Sequence, residues 1–349
     1  MGDERVNKYD ELYIFREAKI KDADKLMSFI KEHWRANHIL GNDRDFFLYE
    51  HGDGDKINFI ICEDRNTGEI VGMQGFIPYS WDAELRHICG VMTMVKKGVT
   101  TPMLGIELIK RFIDIVNYKT YCGIGTNPQT MVPLAKRLFD RFVCKLTHYY
   151  QLNKTVDTFK IAKIVCQKKS LEEIEECNSS QLVEFSNLEE VKRNFILNKA
   201  YKFLPYKEEW YLKKRYFEHP IYRYRVWGIV LNGAVLALLF GREVEHANVK
   251  IIRFVDFIGD IEDLSLSGKG IKDIIETNSY EYADFLLHGI PERIMRKSGF
   301  VRKIEEEGNI IPTYFEPFIQ SNVDIWLEKS HEEMVVFKGD GDADRPNFS

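Results

Sequence analysis

The sequence predicts a two-domain α/β (α+β) protein, each domain a mixed central sheet flanked by helices. Three observations predict it. At 349 residues the chain is long for one compact core. Short β-branched, apolar runs alternate with segments of helical spacing. The pattern of the first half also returns, weakened, in the second.

Taken in order, the elements begin with a strand at Tyr13 to Arg16. An amphipathic helix opens at Asp22 and runs through Leu26, Phe29 and Ile30 to Trp34. "INFIICEDRNTGEIVGMQGFIPYS" is a hairpin of two β-rich runs around a polar turn with Gly68. The apolar run Val91 to Val95 stops at Lys96, Lys97 and Gly98, and Thr100, Thr101 and Pro102 lead into a helical pattern through Met103, Ile106, Leu108, Ile109 and Phe112. A strand from Tyr121 to Gly125 breaks at Asn127-Pro128, and a helix through Leu134, Leu138 and Phe142 closes the unit.

The linker is expected in "LNKTVDTFKI", which sets the domains at residues 1–156 and 157–349. Beyond it, "VWGIVLNGAVLALLFGREV" is a hairpin around Asn232-Gly233, "VKIIRFVDFIGD" a strand and "GIKDIIETN" a helix. "YADFLLHG" is a buried strand, and "IPERIMRKSGF" a helix with glycine at its C-terminal end. Tyr121 to Gly125, a proline-started helix and Phe142-Val143 thus run parallel to Tyr282 to Gly289, a proline-started helix and Phe300-Val301.

Composition excludes several classes. No apolar stretch is long enough for a bilayer-spanning helix, and the charged opening "MGDERVNKYDEL" lacks the apolar centre of a secretion signal. Six cysteines without C-x-x-C spacing read as reduced thiols, so a cytoplasmic location and no metal are expected. A net charge of −5 with mixed signs argues against nucleic acid as the main partner. "GDGDADRPN" begins like a calcium loop at Asp340, Asp342 and Asp344, but Arg345 stands where glycine is needed and no later glutamate follows.

The turn in "MVKKGVTTPMLGIELIKRF" carries the chemistry. A strand, a short polar turn with glycine and a helix start together aim free backbone amides at one point, which suits a phosphate. Neither the Walker nor the dinucleotide spacing is present. An ordinary turn, with Thr101 as N-cap and Pro102 at the first helical position, remains the alternative.

The hairpin around "NTGEIVG", the strand into this turn and helix, and "IPERIMRKSGF" resemble the GNAT acyltransferases, and the duplication resembles a tandem GNAT chain. The resemblance covers most of the sequence, but its motifs are degraded. The family's Q/R-x-x-G-x-G/A signature falls over Thr100, Met103 and Gly105, with only the last position kept, and Phe139 stands near the usual tyrosine general acid. What the resemblance implies is an acetyl-CoA co-substrate whose pyrophosphate meets the turn and whose acyl-pantetheine lies in a gap between two splayed strands. The residues implicated are Met94, Val95, Gly98, Thr100, Thr101, Gly105 and Asn127. An amine acceptor follows, read as an amino sugar, and one linked to a nucleotide for surface polysaccharide synthesis is the narrowest expectation.

The second half carries no such turn. "IEDLSLSGKG" sets Asp260, Glu262 and Asp263 where a pyrophosphate would sit, so no second CoA site is expected. Its strands hold charges within apolar runs: Arg253 and Asp256 in one, Asp284 and His288 in the next. These are either structural ion pairs or the lining of an acceptor cleft. Arg253 and Asp256 share a face only if a bulge lies between them. The reading takes Asp256 and His288 as catalytic proton acceptors, and Trp34, His38, Arg253, Asp284 and Glu316 as acceptor-binding. The aromatic, basic stretch "FLPYKEEWYLKKRYFEHPIYRY" either stacks a ring or packs as a helix. Two rival readings stay open: a Fem-like aminoacyl-tRNA-dependent transferase, and a non-catalytic GNAT-like scaffold for a ligand or protein.

Overall fold

The computed structural model describes residues 7–81, 86–166 and 180–347, with the side chains of 198 and 199 omitted; the first six residues, Cys177 and the last two residues lie outside it. The chain divides into two compact units, one running to Gly123 and the other from Ile124 to Asn347.

In the first unit the strands are β1 (Tyr13–Lys19), β2 (Lys56–Asp64), β3 (Ile70–Pro78), β4 (His87–Val95) and β5 (Thr120–Ile124), adjacent in that order. All neighbours are antiparallel except β4 and β5. Helix α1 (Ala23–Phe29) is followed by a wider turn at Ile30–Trp34, so the expected single helix to Trp34 loosens over its last five residues. Helices α2 (Arg44–His51) and α3 (Leu104–Val116) are the longer ones of the unit, beside short helical turns at Lys8–Leu12 and Ile39–Asn42. Leu104, Leu108, Phe112 and Val116 recur every four residues along α3, and all four enter one core with Ile60, Phe76, Ile88 and Tyr121.

In the second unit α4 (Met131–Leu138) ends four residues before Phe142, which lies on a strand, β6 (Phe142–Lys145). The helix buries only Ala135, so its apolar spacing alone did not carry it to Phe142. The large sheet takes the order β13 (Val301–Arg302), β7 (Thr147–Leu152), β12 (Tyr282–His288), β11 (Val249–Ile258), β10 (Ala234–His246), β9 (Tyr224–Leu231) and β8 (Ser180–Phe185). Its parallel pair is β11 with β12, and its other neighbours are antiparallel. Asn232 and Gly233, at φ 52° and 83°, make the tight β9–β10 turn that the Asn-Gly pair predicts. Helices α5 (Gly268–Thr277) and α6 (Glu292–Lys297) cover one face, on a core that includes Trp227, Phe254, Phe257, Phe285 and Ile294.

The two units share one device. In each, a parallel pair begins in register and then parts where the longer strand bulges. The first pair runs from His87 opposite Thr120 to Gly90 opposite Gly123, and the bulge follows at Met92, whose φ is 51°. The second runs from Ile252 opposite Ala283 to Phe254 opposite Phe285, and Val255 is the extra residue. An extra residue bends its strand and interrupts the ladder, which is how a flat sheet opens into a cleft. Among the described residues no helix is long and apolar enough to cross a membrane.

Candidate functional site

Beyond its bulge, β4 exposes a half-buried run from Thr93 through Met94 and Val95 to Lys96. The turn after it bends at Gly98, whose φ of 91° suits glycine. Helix α3 begins at Leu104 rather than at Pro102, because Met103 sits in the left-handed region at φ 60° and takes the N-cap position. Thr101 therefore does not cap the helix; its hydroxyl meets the Tyr13 hydroxyl at 2.7 Å. Among the described residues no side chain caps the start of α3. Among the described residues the amides of Leu104 and Gly105 donate to no protein acceptor. A helix start that is left uncapped is electropositive and has donors to spare.

Space at the same point is also open. A Cβ at Gly105 would meet only the Val95 side chain, at 3.6 Å. Thr100, in the turn, is exposed, while Lys96 pairs with Glu69. Of the residues expected at this turn, Val95 and Gly105 are in contact, and Met94, Gly98 and Thr100 lie on the strand end and turn between them in sequence.

Asn127 has a local role. Its Oδ1 accepts from the amides of Gln129 at 2.9 Å and Thr130 at 3.2 Å, which fixes the turn into α4. His38 is used similarly: its Nδ1 accepts from the Leu40 amide at 3.2 Å, and burial pushes its pKa down to about 4. Trp34 stands 51% exposed.

The second cleft is closed by the chain itself. The short strand β14 (Val336–Phe337) pairs antiparallel with the end of β12, Phe337 opposite Leu287 and Val336 opposite His288. Two residues on, Gly339 presses against β11 so closely that a Cβ would lie 2.5 Å from the Val255 carbonyl oxygen. This segment is pinned by buried charge. Lys207 Nζ lies 2.5 Å from both Asp256 and Asp340. Asp344 binds Arg215 at 3.2 Å and Arg242 at 3.0 Å. Those two carboxylates of "GDGDADRPN" are therefore spent on lysine and arginine, not arranged as a cation loop.

Asp256 is fully buried and accepts from Lys207, from the Tyr216 hydroxyl at 2.7 Å and from the Phe257 amide at 2.8 Å. It forms a structural ion pair, which corrects the expectation of an available base at that position. The Val255 bulge does put Asp256 on the Arg253 face, since Phe254 and Phe257 both enter the opposite core. Arg253 nevertheless pairs with its register partner Asp284, at 2.5 Å, and donates to the Pro312 and Thr313 carbonyls. These two residues are also buried and mutually satisfied instead of lining an open cleft. Glu316 accepts from the Tyr222 hydroxyl and from the Asn347 amide at 3.1 Å. His288 is half-buried at the end of β12, and burial with Lys329 nearby pushes its pKa down to about 4.

The residues that sequence reasoning missed are the partners of these charges: Lys207 and Tyr216 on Asp256, His148 on Asp284, and Arg215 and Arg242 on Asp344. Lys207, Arg215 and Tyr216 lie in the aromatic, basic stretch whose packed reading holds, but nothing in their spacing names a carboxylate dozens of residues away.

Comparisons with known proteins fit this geometry. No family model matches the chain, and no curated protein matches it in sequence. In structure it is similar to a GCN5-related N-acetyltransferase from Anabaena variabilis, at 10% identity and TM-score 0.51, over 90% of this chain and 72% of that one. It is also similar to the N-myristoyltransferase of Saccharomyces cerevisiae, solved with myristoyl-CoA, at 7% identity, TM-score 0.45 and coverage of 93% and 82%. A third is a protein from Pyrococcus horikoshii assigned as an acetyltransferase, at 14% identity, TM-score 0.44 and coverage of 96% and 94%. The chain has the GNAT fold of the N-acetyltransferases, as two mixed sheets each with a parallel pair that splays at a bulge.

Proposed function

We propose that the protein is an N-acyltransferase that binds acetyl-CoA in its first unit and passes the acetyl group to an amine. One observation carries the reading: β4, which splays from β5, leads through the Gly98 turn to an uncapped helix whose Leu104 and Gly105 amides have no partner among the described residues. In this reading those amides and the Thr100 hydroxyl hold the pyrophosphate. The run Thr93 to Val95 hydrogen-bonds the pantetheine arm, and the strand amides near the bulge stabilise the oxyanion as the amine attacks the thioester carbonyl. The collapsing intermediate expels the CoA thiolate, and a base takes the ammonium proton. The second unit takes no CoA in this reading, because β14 and Gly339 fill its splay. The acceptor is an amine, with an amino sugar as the proposed member of that class. Calorimetric titration of the full chain with acetyl-CoA tests the reading: one saturable site per chain supports it, and no binding overturns it.

A further inference from the structure

Helix α3 starts in a strained way. Met103, just before it, is held at φ 60°, where any residue with a Cβ is disfavoured. Its side chain is 61% exposed, so packing does not hold it there. The sequence offers a relaxed alternative, with Thr101 as N-cap, Pro102 at the first helical position and Met103 right-handed. In that start Thr101 Oγ1 would accept from the Leu104 amide, and the Thr101 carbonyl from the Gly105 amide. It would consume both of the amides that the observed start leaves without a partner among the described residues.

Two tyrosine hydroxyls stand in its way. Tyr13, 5% exposed, meets the Thr101 hydroxyl at 2.7 Å, and Tyr9 donates to the Pro102 carbonyl at 2.9 Å. Both bonds grip the residues that would begin the relaxed helix. Both tyrosines belong to one short segment, which is tied to α3 itself: Asn7 donates to Glu107 at 3.1 Å, and Arg111 donates to Asp10 at 2.8 Å. Among the described residues the turn's own amides add only Val99 to the Lys96 carbonyl, at 3.4 Å. The strain at Met103 is therefore held from outside the turn.

We infer that Tyr9 and Tyr13 are positioning residues, which keep Met103 left-handed and so keep the Leu104 and Gly105 amides open to a ligand anion. They act through Thr101 and Pro102, not on the ligand. This role rests on the reading that the turn takes the pyrophosphate of acetyl-CoA.

The test compares the full chain with its Tyr9→Phe/Tyr13→Phe variant, which keeps both rings and loses both hydroxyls. Amide hydrogen exchange, followed by NMR without ligand, should slow at least about tenfold at Gly105 in the variant, because the relaxed start bonds that amide. Loss of a merely structural bond would speed exchange there instead. Calorimetric titration should show acetyl-CoA bound about tenfold more weakly by the variant. Adding Met103→Gly should return most of that affinity, since glycine takes the left-handed conformation freely. Unchanged or faster exchange at Gly105, an unchanged Kd, or no recovery with Met103→Gly would each overturn the inference. A parent chain that binds no acetyl-CoA would overturn the pyrophosphate reading, while exchange at Gly105, read without ligand, still judges the tyrosines.

Discussion

Replacing Gly105 separates ligand binding from folding at the first unit's turn. Gly105 is the second residue of α3, and a Cβ there touches only Val95, at an ordinary 3.6 Å. Alanine therefore fits, and glycine costs a helix interior about 0.5–1 kcal/mol relative to alanine. Gly105→Ala should accordingly raise the melting temperature by up to about 2–4 °C. Leucine at the same position extends its side chain over the free amides of Leu104 and Gly105. A hydrogen bond to a charged group contributes about 1.5–3 kcal/mol. Losing even one such bond to phosphate weakens acetyl-CoA at least about tenfold, since ~1.4 kcal/mol is one decade in Kd. Isothermal titration of both variants reads the affinity, and differential scanning fluorimetry reads the fold. An unchanged Kd in a folded Gly105→Leu variant would refute the phosphate cradle. A collapse of both quantities together would refute the claim that the site has room for a side chain.

Three further outcomes follow from the second unit. Asn127→Ala should cost roughly 0.5–2 kcal/mol through its lost turn bonds and leave the KM for acetyl-CoA alone; a raised KM at unchanged stability would assign it to the ligand instead. Lys207→Met leaves Asp256 and Asp340 buried without their cation, and should cost about 3–5 kcal/mol in urea unfolding. The Asp340 carboxyl is pushed up to about 6 by burial and by Asp256, against the pull of Lys207. Its proton is held more tightly in the folded chain than in the unfolded one. That contribution is therefore complete below 3.8 and lost as pH rises through about 6. Asp340→Asn should abolish this decline in unfolding free energy, and a decline of equal size in the variant would show that another group causes it.

Local chemistry was legible in the sequence wherever the structure depends on nearest neighbours. The 2-residue and 3.6-residue periods marked the strands and helices on either side of Gly98, and Asn232-Gly233 marked its hairpin. The repeat of strand, proline-started helix and strand marked two similar sheets. Periodicity failed where an end is set by what packs against it, as at Pro102 and Met103, where a left-handed residue delays α3, and at Phe142, which pairs into a strand after α4 stops.

Only the tertiary structure decided which charges are available for chemistry. Asp256 meets Lys207 across 49 positions, and Asp284 meets His148 across 136. A buried charge takes whatever partner the fold brings to it, and no local pattern encodes that partner. The same limit hid the closing of the second splay. Acidic residues after β11 argued against a phosphate there, but the cleft is filled by Val336 to Gly339, some eighty residues further along, because an open strand edge of β12 offers hydrogen bonds to the first extended segment that reaches it.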